Sequence, residues 1–124
     1  GARAAAEANL PRLLAHGTHQ RAPDVVERLR RMMEAQPPAG IIGALHGMAA
    51  RPDSTDLLAG IDVPALVVVG DEDAFIPLEQ ARALTAAIGS GARLAVIEGA
   101  GHLPPMEQPA EFNRTLAGFL ASLG

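Results

Sequence analysis

Apolar positions in the first half of the chain recur with the spacing of helices. Between residues 24 and 36 they fall at i, i+1, i+4, i+7 and i+8, and charged residues occupy the other side, as in an amphipathic helix. The apolar set is Val25, Val26, Leu29, Met32 and Met33. Asp24 stands directly before it as the predicted N-cap, and Pro37-Pro38 is expected to end the helix.

Two further helices are predicted on either side of this one. Ala4–Leu14 is alanine-rich with leucines on one face, although Pro11 predicts a break or a fresh start within it. Residues 15–23 are predicted to form a loop. Residues 38–50 are apolar on most sides and include three glycines, each of which costs about 1 kcal/mol in a helix interior. That segment therefore either packs closely against something or forms a poor helix.

The pattern changes after residue 60, where short apolar runs replace the helical spacing. Ala65–Val69 has no polar alternation, which predicts a strand buried on both faces of a parallel sheet. Arg93–Ile97 is a second predicted strand, with a helix ending at Gly89 before it and a last helix starting at Pro109 after it. This order predicts an α/β fold with a right-handed parallel crossover.

The composition narrows the classes of function. The chain has 124 residues, 48% of them hydrophobic, which is enough apolar material for a core. A net charge of −4 argues against nucleic acid or an anionic membrane as the partner. The absence of cysteine excludes disulfides, thiolate metal ligands and a cysteine nucleophile. With no apolar run of about 18 residues and no signal-peptide pattern, the expected location is cytoplasmic.

Side chains able to catalyse proton transfer follow both predicted strands. Asp71, Glu72 and Asp73 come after the first strand, and His102 comes after the second. Because the carboxyl ends of neighbouring parallel strands meet at one edge of a sheet, both loops are expected there, where α/β sheets place their sites. A carboxylate that orients a histidine is the acid–base pair of a Ser-His-Asp triad.

At these two loops the sequence resembles the α/β-hydrolase superfamily. Ile61–Pro77 looks like the family's acid-bearing strand and loop, and Gly99–Pro109 looks like its histidine loop. The resemblance implies that Asp73, three positions after Gly70, is the catalytic acid of the triad and that His102 is its catalytic base.

The resemblance also implies a domain organisation. Residues 55–124 resemble a C-terminal core portion, and residues 1–54 resemble, more weakly, a helical cap-like segment. The expected fold is therefore the C-terminal part of an α/β-hydrolase fold, with two parallel strands and flanking helices preceded by cap-like helices. Because such an incomplete sheet has unpaired edges, we expect it to pair with a missing N-terminal half or with a second copy of the chain.

A nucleophile is not evident in the chain. The family carries it before the acid on a Gly-x-Ser-x-Gly elbow, and none of the three serines, Ser54, Ser90 and Ser122, follows a strand in that context. The resemblance therefore implies half of a hydrolase, inactive alone, whose parent cleaves small carboxylic esters or lactones as enol-lactone hydrolases and capped esterases do. Relatives of the haloalkane, epoxide and haloperoxidase types stay open, as does a non-catalytic self-associating fragment.

Four apolar residues are candidates for contact with a substrate. Phe75 and Leu103 stand beside the acid and the base in the sequence. Met33 and Leu45 follow, because cap side chains line the pocket in the family that the chain resembles, although plain helix packing also explains them.

The remaining polar residues have simpler interpretations. Glu107 is predicted to help cap the last helix and has no catalytic role. Asp71, Glu72 and Asp73 would hold Mg²⁺ only with further carboxylates from an earlier strand. His16 and His19 lack a third ligand, so no metal and no cofactor is implied.

Overall fold

The computed structural model describes all 124 residues, from Gly1 to Gly124. Seven α-helices, one short 3-10 helix and two strands follow one another along the chain. Their bounds are α1 Ala2–Leu13, α2 His16–Arg21, α3 Pro23–Glu34, α4 Pro38–Ala50, the 3-10 helix Thr55–Gly60, β1 Ala65–Gly70, α5 Leu78–Ile88, β2 Ala92–Ile97, α6 Pro104–Glu107 and α7 Pro109–Ala121.

The two strands form a parallel pair, as the apolar runs predict. Ala65 is opposite Ala92 at one end of the register and Gly70 is opposite Ile97 at the other. Helix α5 makes the crossover and packs against both strands. The sheet has no third strand, so the predicted α/β class and the incomplete sheet are both confirmed.

The interior of the chain is small. Ala6, Leu10, Leu14 and Leu29 form a cluster where α1 packs against α3, and Val69, Ala81 and Ile97 are buried on β1, α5 and β2. In all, 14 of the 124 residues are buried, and α4 and α7 have no buried residue. Ile42, Leu45, Met48, Leu120 and Leu123 remain exposed, so the chain presents apolar helix faces that it does not cover itself.

The structure corrects three predictions about the first helices. Residues 15–23 are not a loop, because α2 occupies His16–Arg21 with Thr18 buried. Pro11 does not break α1, which continues to Leu13; the proline lies in the last turn, so only one backbone hydrogen bond is lost. Asp24 is not the N-cap of α3, since Ala22 takes that position, with Pro23 at the start of the helix and Asp24 in the first turn.

The helices are all short. None of them combines the length and the hydropathy that crossing a membrane would require.

Candidate active site

Two loops touch at the carboxyl end of the sheet: the acid loop, residues 71–77 between β1 and α5, and the histidine loop that follows β2. Gly70, the last residue of β1, permits this approach, because a Cβ atom there would lie 2.2 Å from the carbonyl oxygens of both Ala100 and Gly101. Asp71 ties the loops together by accepting a hydrogen bond from the Gly99 amide at 2.8 Å. The two loops therefore form one rigid platform for the side chains that they carry.

Asp73 is held by its own loop and aimed at the other one. Its Oδ1 accepts hydrogen bonds from the backbone amides of Phe75 at 2.8 Å and Ile76 at 3.0 Å. Its Oδ2 lies 2.9 Å from Nδ1 of His102. The Asp73 side chain is only 6% exposed, so its orientation is fixed by these contacts and is little disturbed by solvent.

The surroundings of Asp73 keep it ionised. Burial alone would raise its pKa, but hydrogen bonds from the Ile76 amide, His102 and the Phe75 amide, together with the charge of a protonated His102, outweigh burial. The pKa of Asp73 therefore lies below its ordinary value. A carboxylate that stays ionised is suited to accept Nδ1–H and to stabilise an imidazolium.

His102 presents its second ring nitrogen away from the acid. The side chain is 37% exposed, and Nε2 makes no hydrogen bond within the chain. With Nδ1–H donated to Asp73, Nε2 is the nitrogen that carries the lone pair. The backbone amide of His102 donates to the Leu13 carbonyl at 2.9 Å, so the imidazole is oriented from both ends and leaves Nε2 without a partner in the chain.

A groove opens beside this pair. We call it the β1 groove: a cavity of about 450 Å³ that runs along β1 between α5 and the 3-10 helix. Its walls are mostly apolar and include Leu58, Val67, Leu84 and Ala87, together with Asp73 and His102. None of the three serines lines it.

The four apolar residues proposed to contact substrate are spread over different places. Phe75 lies beside His102, with the two ring centroids 5.1 Å apart. Leu103 and Met33 pack against the α1–α3 cluster, and Leu45 is 54% exposed on α4. None of the four lines the β1 groove, and their roles toward a substrate stay predictions.

Phe75 also contacts a cation. The guanidinium carbon of Arg12 lies 4.5 Å from the centre of the Phe75 ring, within the range of a cation–π contact. Arg12 therefore joins the end of α1 to the acid loop, which sequence reasoning did not predict.

Glu107 has a different position from the one predicted. It does not cap the last helix; its carboxylate is buried and accepts four hydrogen bonds from α1–α2 and from the histidine loop. Three prolines surround it in the sequence, and no arginine or lysine lies within five positions.

The acidic loop does not assemble a metal cluster. Asp71 is engaged by the Gly99 amide and Asp73 by His102. The structure brings together no group of three or more histidine or acidic residues with the geometry of a cation site.

Comparison with known proteins matches most of the chain to one family. A sequence model described as the Alpha/beta hydrolase family matches residues 2–115. The chain belongs to the alpha/beta hydrolase family. The match takes in both loops of the site and the helices before them.

Two solved structures illustrate the relationship. A thermophilic esterase from Thermogutta terrifontis, solved with malate bound, is 42% identical with a TM-score of 0.95, over 98% of this chain and 44% of that one. The enol-lactonase from Burkholderia xenovorans LB400 is 31% identical with a TM-score of 0.89, over 98% of this chain and 45% of that one. The chain thus spans less than half the length of these two alpha/beta hydrolases.

A curated relative matches a shorter part of the chain. A putative carbamate hydrolase, RutD, from Pseudomonas savastanoi is 36% identical over 63 residues, which are 51% of this chain and 24% of that protein. These three relatives are therefore all hydrolases, and their names differ in the substrate: an ester, an enol-lactone or a carbamate.

Proposed function

We propose that this chain supplies the acid and the general base of a serine hydrolase that acts on small carboxylic esters or lactones. Asp73 is the acid and His102 is the base. The observation that carries the proposal is the 2.9 Å contact between Asp73 Oδ2 and His102 Nδ1, combined with an Nε2 that is free toward the outside of the loop.

In the first half of the reaction, His102 Nε2 takes the proton of a serine hydroxyl while the serine oxygen bonds to the carbonyl carbon of the substrate. Asp73 holds the ring and stabilises the imidazolium. When the tetrahedral intermediate collapses, the bond to the alcohol oxygen breaks and Nε2 returns the proton to that oxygen. The products are an alcohol (in a lactone, the hydroxyl end of the opened ring) and an acyl-enzyme.

In the second half of the reaction, water attacks the acyl-enzyme. Nε2 takes a proton from the water molecule while the water oxygen bonds to the acyl carbon. The bond to the serine oxygen then breaks, and the serine oxygen recovers a proton from Nε2. The carboxylic acid leaves, and His102 ends neutral, as it began.

The serine and the oxyanion hole come, in this proposal, from residues outside the chain. The absence of all three serines from the β1 groove supports this, as does the fact that the chain spans 44% and 45% of two hydrolases that it resembles. In the complete enzyme residues 55–124 are the C-terminal core portion and residues 1–54 are cap-like. The unpaired edge of β1 is where the remaining sheet would continue.

The substrate class rests on the relatives. An esterase and an enol-lactonase are among the similar structures, and both names describe attack on an ester carbonyl. The β1 groove does not define the substrate, because four consecutive residues of β1 line it and it therefore lies along the edge where the remaining sheet would continue.

The test is hydrolysis by the complete protein that contains this chain. Purified protein is assayed with an activated aryl acetate and with a small aliphatic lactone, beside variants Asp73→Asn and His102→Gln. We expect both variants to lose at least about 10³-fold in kcat. Glu72→Gln is the matched control, because Glu72 is exposed and its side chain makes no hydrogen bond. Full activity in His102→Gln would contradict the proposal.

A second candidate, a non-catalytic self-associating fragment, is favoured by the exposed apolar faces of α4 and α7. Intact mass and a denaturing gel of the natural protein separate the two candidates. A polypeptide or companion chain that adds roughly another 130–150 residues supports the enzyme, and a 124-residue species alone supports the fragment.

A further inference from the structure

The carboxylate of Glu107 has four hydrogen-bond donors and almost no contact with solvent. Glu107 is 6% exposed. Oε1 accepts from the Ala15 amide at 2.6 Å and from the Thr18 hydroxyl at 2.9 Å. Oε2 accepts from the Gly101 amide at 2.8 Å and from the Leu103 amide at 3.1 Å. All four bonds are made to a charged acceptor, which makes them stronger than bonds between neutral groups.

The donors come from two segments that are far apart in the sequence. Ala15 and Thr18 belong to the junction of α1 with α2. Gly101 and Leu103 are the two residues that flank His102. Glu107 therefore bridges the cap-like helices and the histidine loop through a single side chain.

The backbone around His102 is consequently held at three successive amides. The amides of Gly101 and Leu103 donate to Glu107 Oε2. The amide of His102 itself donates to the Leu13 carbonyl. These bonds fix the direction in which the Cα–Cβ bond of His102 leaves the loop. Asp73 approaches the imidazole from the other loop, so the 2.9 Å contact depends on that direction.

The contact between the two segments leaves no room for adjustment. A Cβ atom on Gly101 would lie 2.7 Å from the Ala15 nitrogen and 3.0 Å from the Leu13 carbonyl oxygen. Because the backbones already touch, a change in the hydrogen bonding of Glu107 is transmitted to the histidine loop and is not absorbed by a gap.

We infer that Glu107 is the positioning residue that holds His102 against Asp73. It touches neither a substrate nor the reacting atoms, and it acts through the backbone of Gly101 and Leu103. The kinetic part of this inference rests on the proposed function, whereas the geometric part does not.

The principal variant is Glu107→Gln in the complete protein. The amide has the same shape, but its NH₂ group faces donors where the carboxylate presented an acceptor. We expect kcat to fall about tenfold or more, since small misplacements of a catalytic group have effects of this size, while KM stays within twofold. Glu98→Gln is the matched control, because Glu98 is exposed at the end of β2 and makes no side-chain hydrogen bond. It is expected to keep both constants.

A spectroscopic readout reports the position of His102 independently of hydrolysis. The proton of His102 Nδ1, donated to Asp73, gives a low-field ¹H resonance that ¹⁵N-histidine labelling assigns. We expect Glu107→Gln to shift or broaden this resonance and Glu98→Gln to leave it in place. A loss of stability without a change in the position of His102 would not move it in the folded protein.

Thr18 provides a milder variant in case Glu107→Gln does not fold. Thr18→Val removes one of the four donors at nearly constant shape, and Thr18→Ser keeps the hydroxyl. We expect Thr18→Val to lower kcat and shift the resonance by less than Glu107→Gln, and Thr18→Ser to restore both.

The outcomes separate the two proposals. Unchanged kcat and an unchanged resonance in folded Glu107→Gln and Thr18→Val overturn the positioning role. If the wild-type protein hydrolyses no ester but the resonance shifts as expected, the positioning role stands and the proposed function fails. If KM rises and kcat is unchanged, Glu107 acts on substrate binding and the positioning role is overturned.

Discussion

A Cβ atom on Gly70 would lie 2.2 Å from the carbonyl oxygen of Ala100. The end of β1 and the histidine loop are thus in direct backbone contact, and the distance between Asp73 and His102 depends on it. No side chain other than hydrogen fits at this position without moving one loop.

Gly70→Ala is therefore expected to destabilise the complete protein by roughly 1–3 kcal/mol, the usual cost of overpacking. Urea unfolding measures the free energy. Gly118→Ala is the control, because a Cβ atom at Gly118 in α7 meets nothing within 4 Å. That control should gain up to about 1 kcal/mol from helix propensity, and equal effects at the two glycines would contradict the close contact.

Asp73 makes stability depend on pH. Its pKa is lower in the folded chain than in the unfolded chain, so its ionised form stabilises the fold above its unfolded pKa of about 3.9. This stabilisation is lost as the pH falls through the lower folded pKa. We expect the free energy of unfolding of wild-type protein to decrease below about pH 4 more steeply than that of Asp73→Asn. Parallel curves for the two proteins would be the contrary result.

The 124-residue chain by itself is expected to hydrolyse no activated aryl ester above background. A triad without its nucleophile loses about 10⁶-fold in kcat, and the residual rate depends on an oxyanion hole. The measurement is the initial rate with mass-verified chain against free imidazole at equal concentration. A rate well above imidazole that His102→Gln abolishes would refute this expectation.

Phe75 is expected to act on the substrate side of His102. Phe75→Ala removes the ring 5.1 Å from the imidazole and should lower kcat/KM of the complete protein about tenfold, a change of about 1.4 kcal/mol. Phe119→Ala is the matched control, because Phe119 also has an arginine over its ring, at 5.9 Å, but lies on α7. Equal losses in the two variants would assign Phe75 to stability alone.

The exposed face of α4 is expected to drive association of the isolated chain. Leu45 is 54% exposed and lies between Ile42 and Met48, which are exposed as well. At micromolar concentration, light scattering should find dimers or larger species, and Leu45→Glu should shift them toward monomer. Gly43→Glu adds the same charge on the opposite face of the helix, where nothing lies within 4 Å, and should shift them less. A monodisperse wild-type monomer would oppose this expectation.

Local sequence patterns predict much of the fold. The apolar run at Ala65–Val69 predicts β1 to within one residue of Ala65–Gly70, and Arg93–Ile97 does the same for β2. Residues 38–50 form α4 as predicted. An apolar run reflects burial on both faces of a strand, and a helical spacing reflects burial on one face of a helix. Both patterns are contained in residues that are close together in the sequence.

Local patterns fail where the deciding contact is distant. His16–Arg21 has loop-forming composition, but it folds as α2 around Thr18, whose hydroxyl is bonded to Glu107, 89 positions away. Glu107 was predicted to cap a helix for the same reason: its partner Ala15 is 92 positions away. No pattern within a single segment records such a partner.

The sequence by itself determined the α/β order, the parallel crossover and the two loops that bear Asp73 and His102, because strand runs and the residues that end them are local. Only the tertiary structure brought the implied pair of Asp73 and His102 into contact and decided what the other carboxylates of the site do. Asp73 faces His102, Asp71 ties the loops together, and Glu107 holds the histidine loop to α1 and α2. Hydrogen bonds to a carboxylate depend on which donors the fold brings within 3 Å, and packing sets that distance, whatever the separation along the chain.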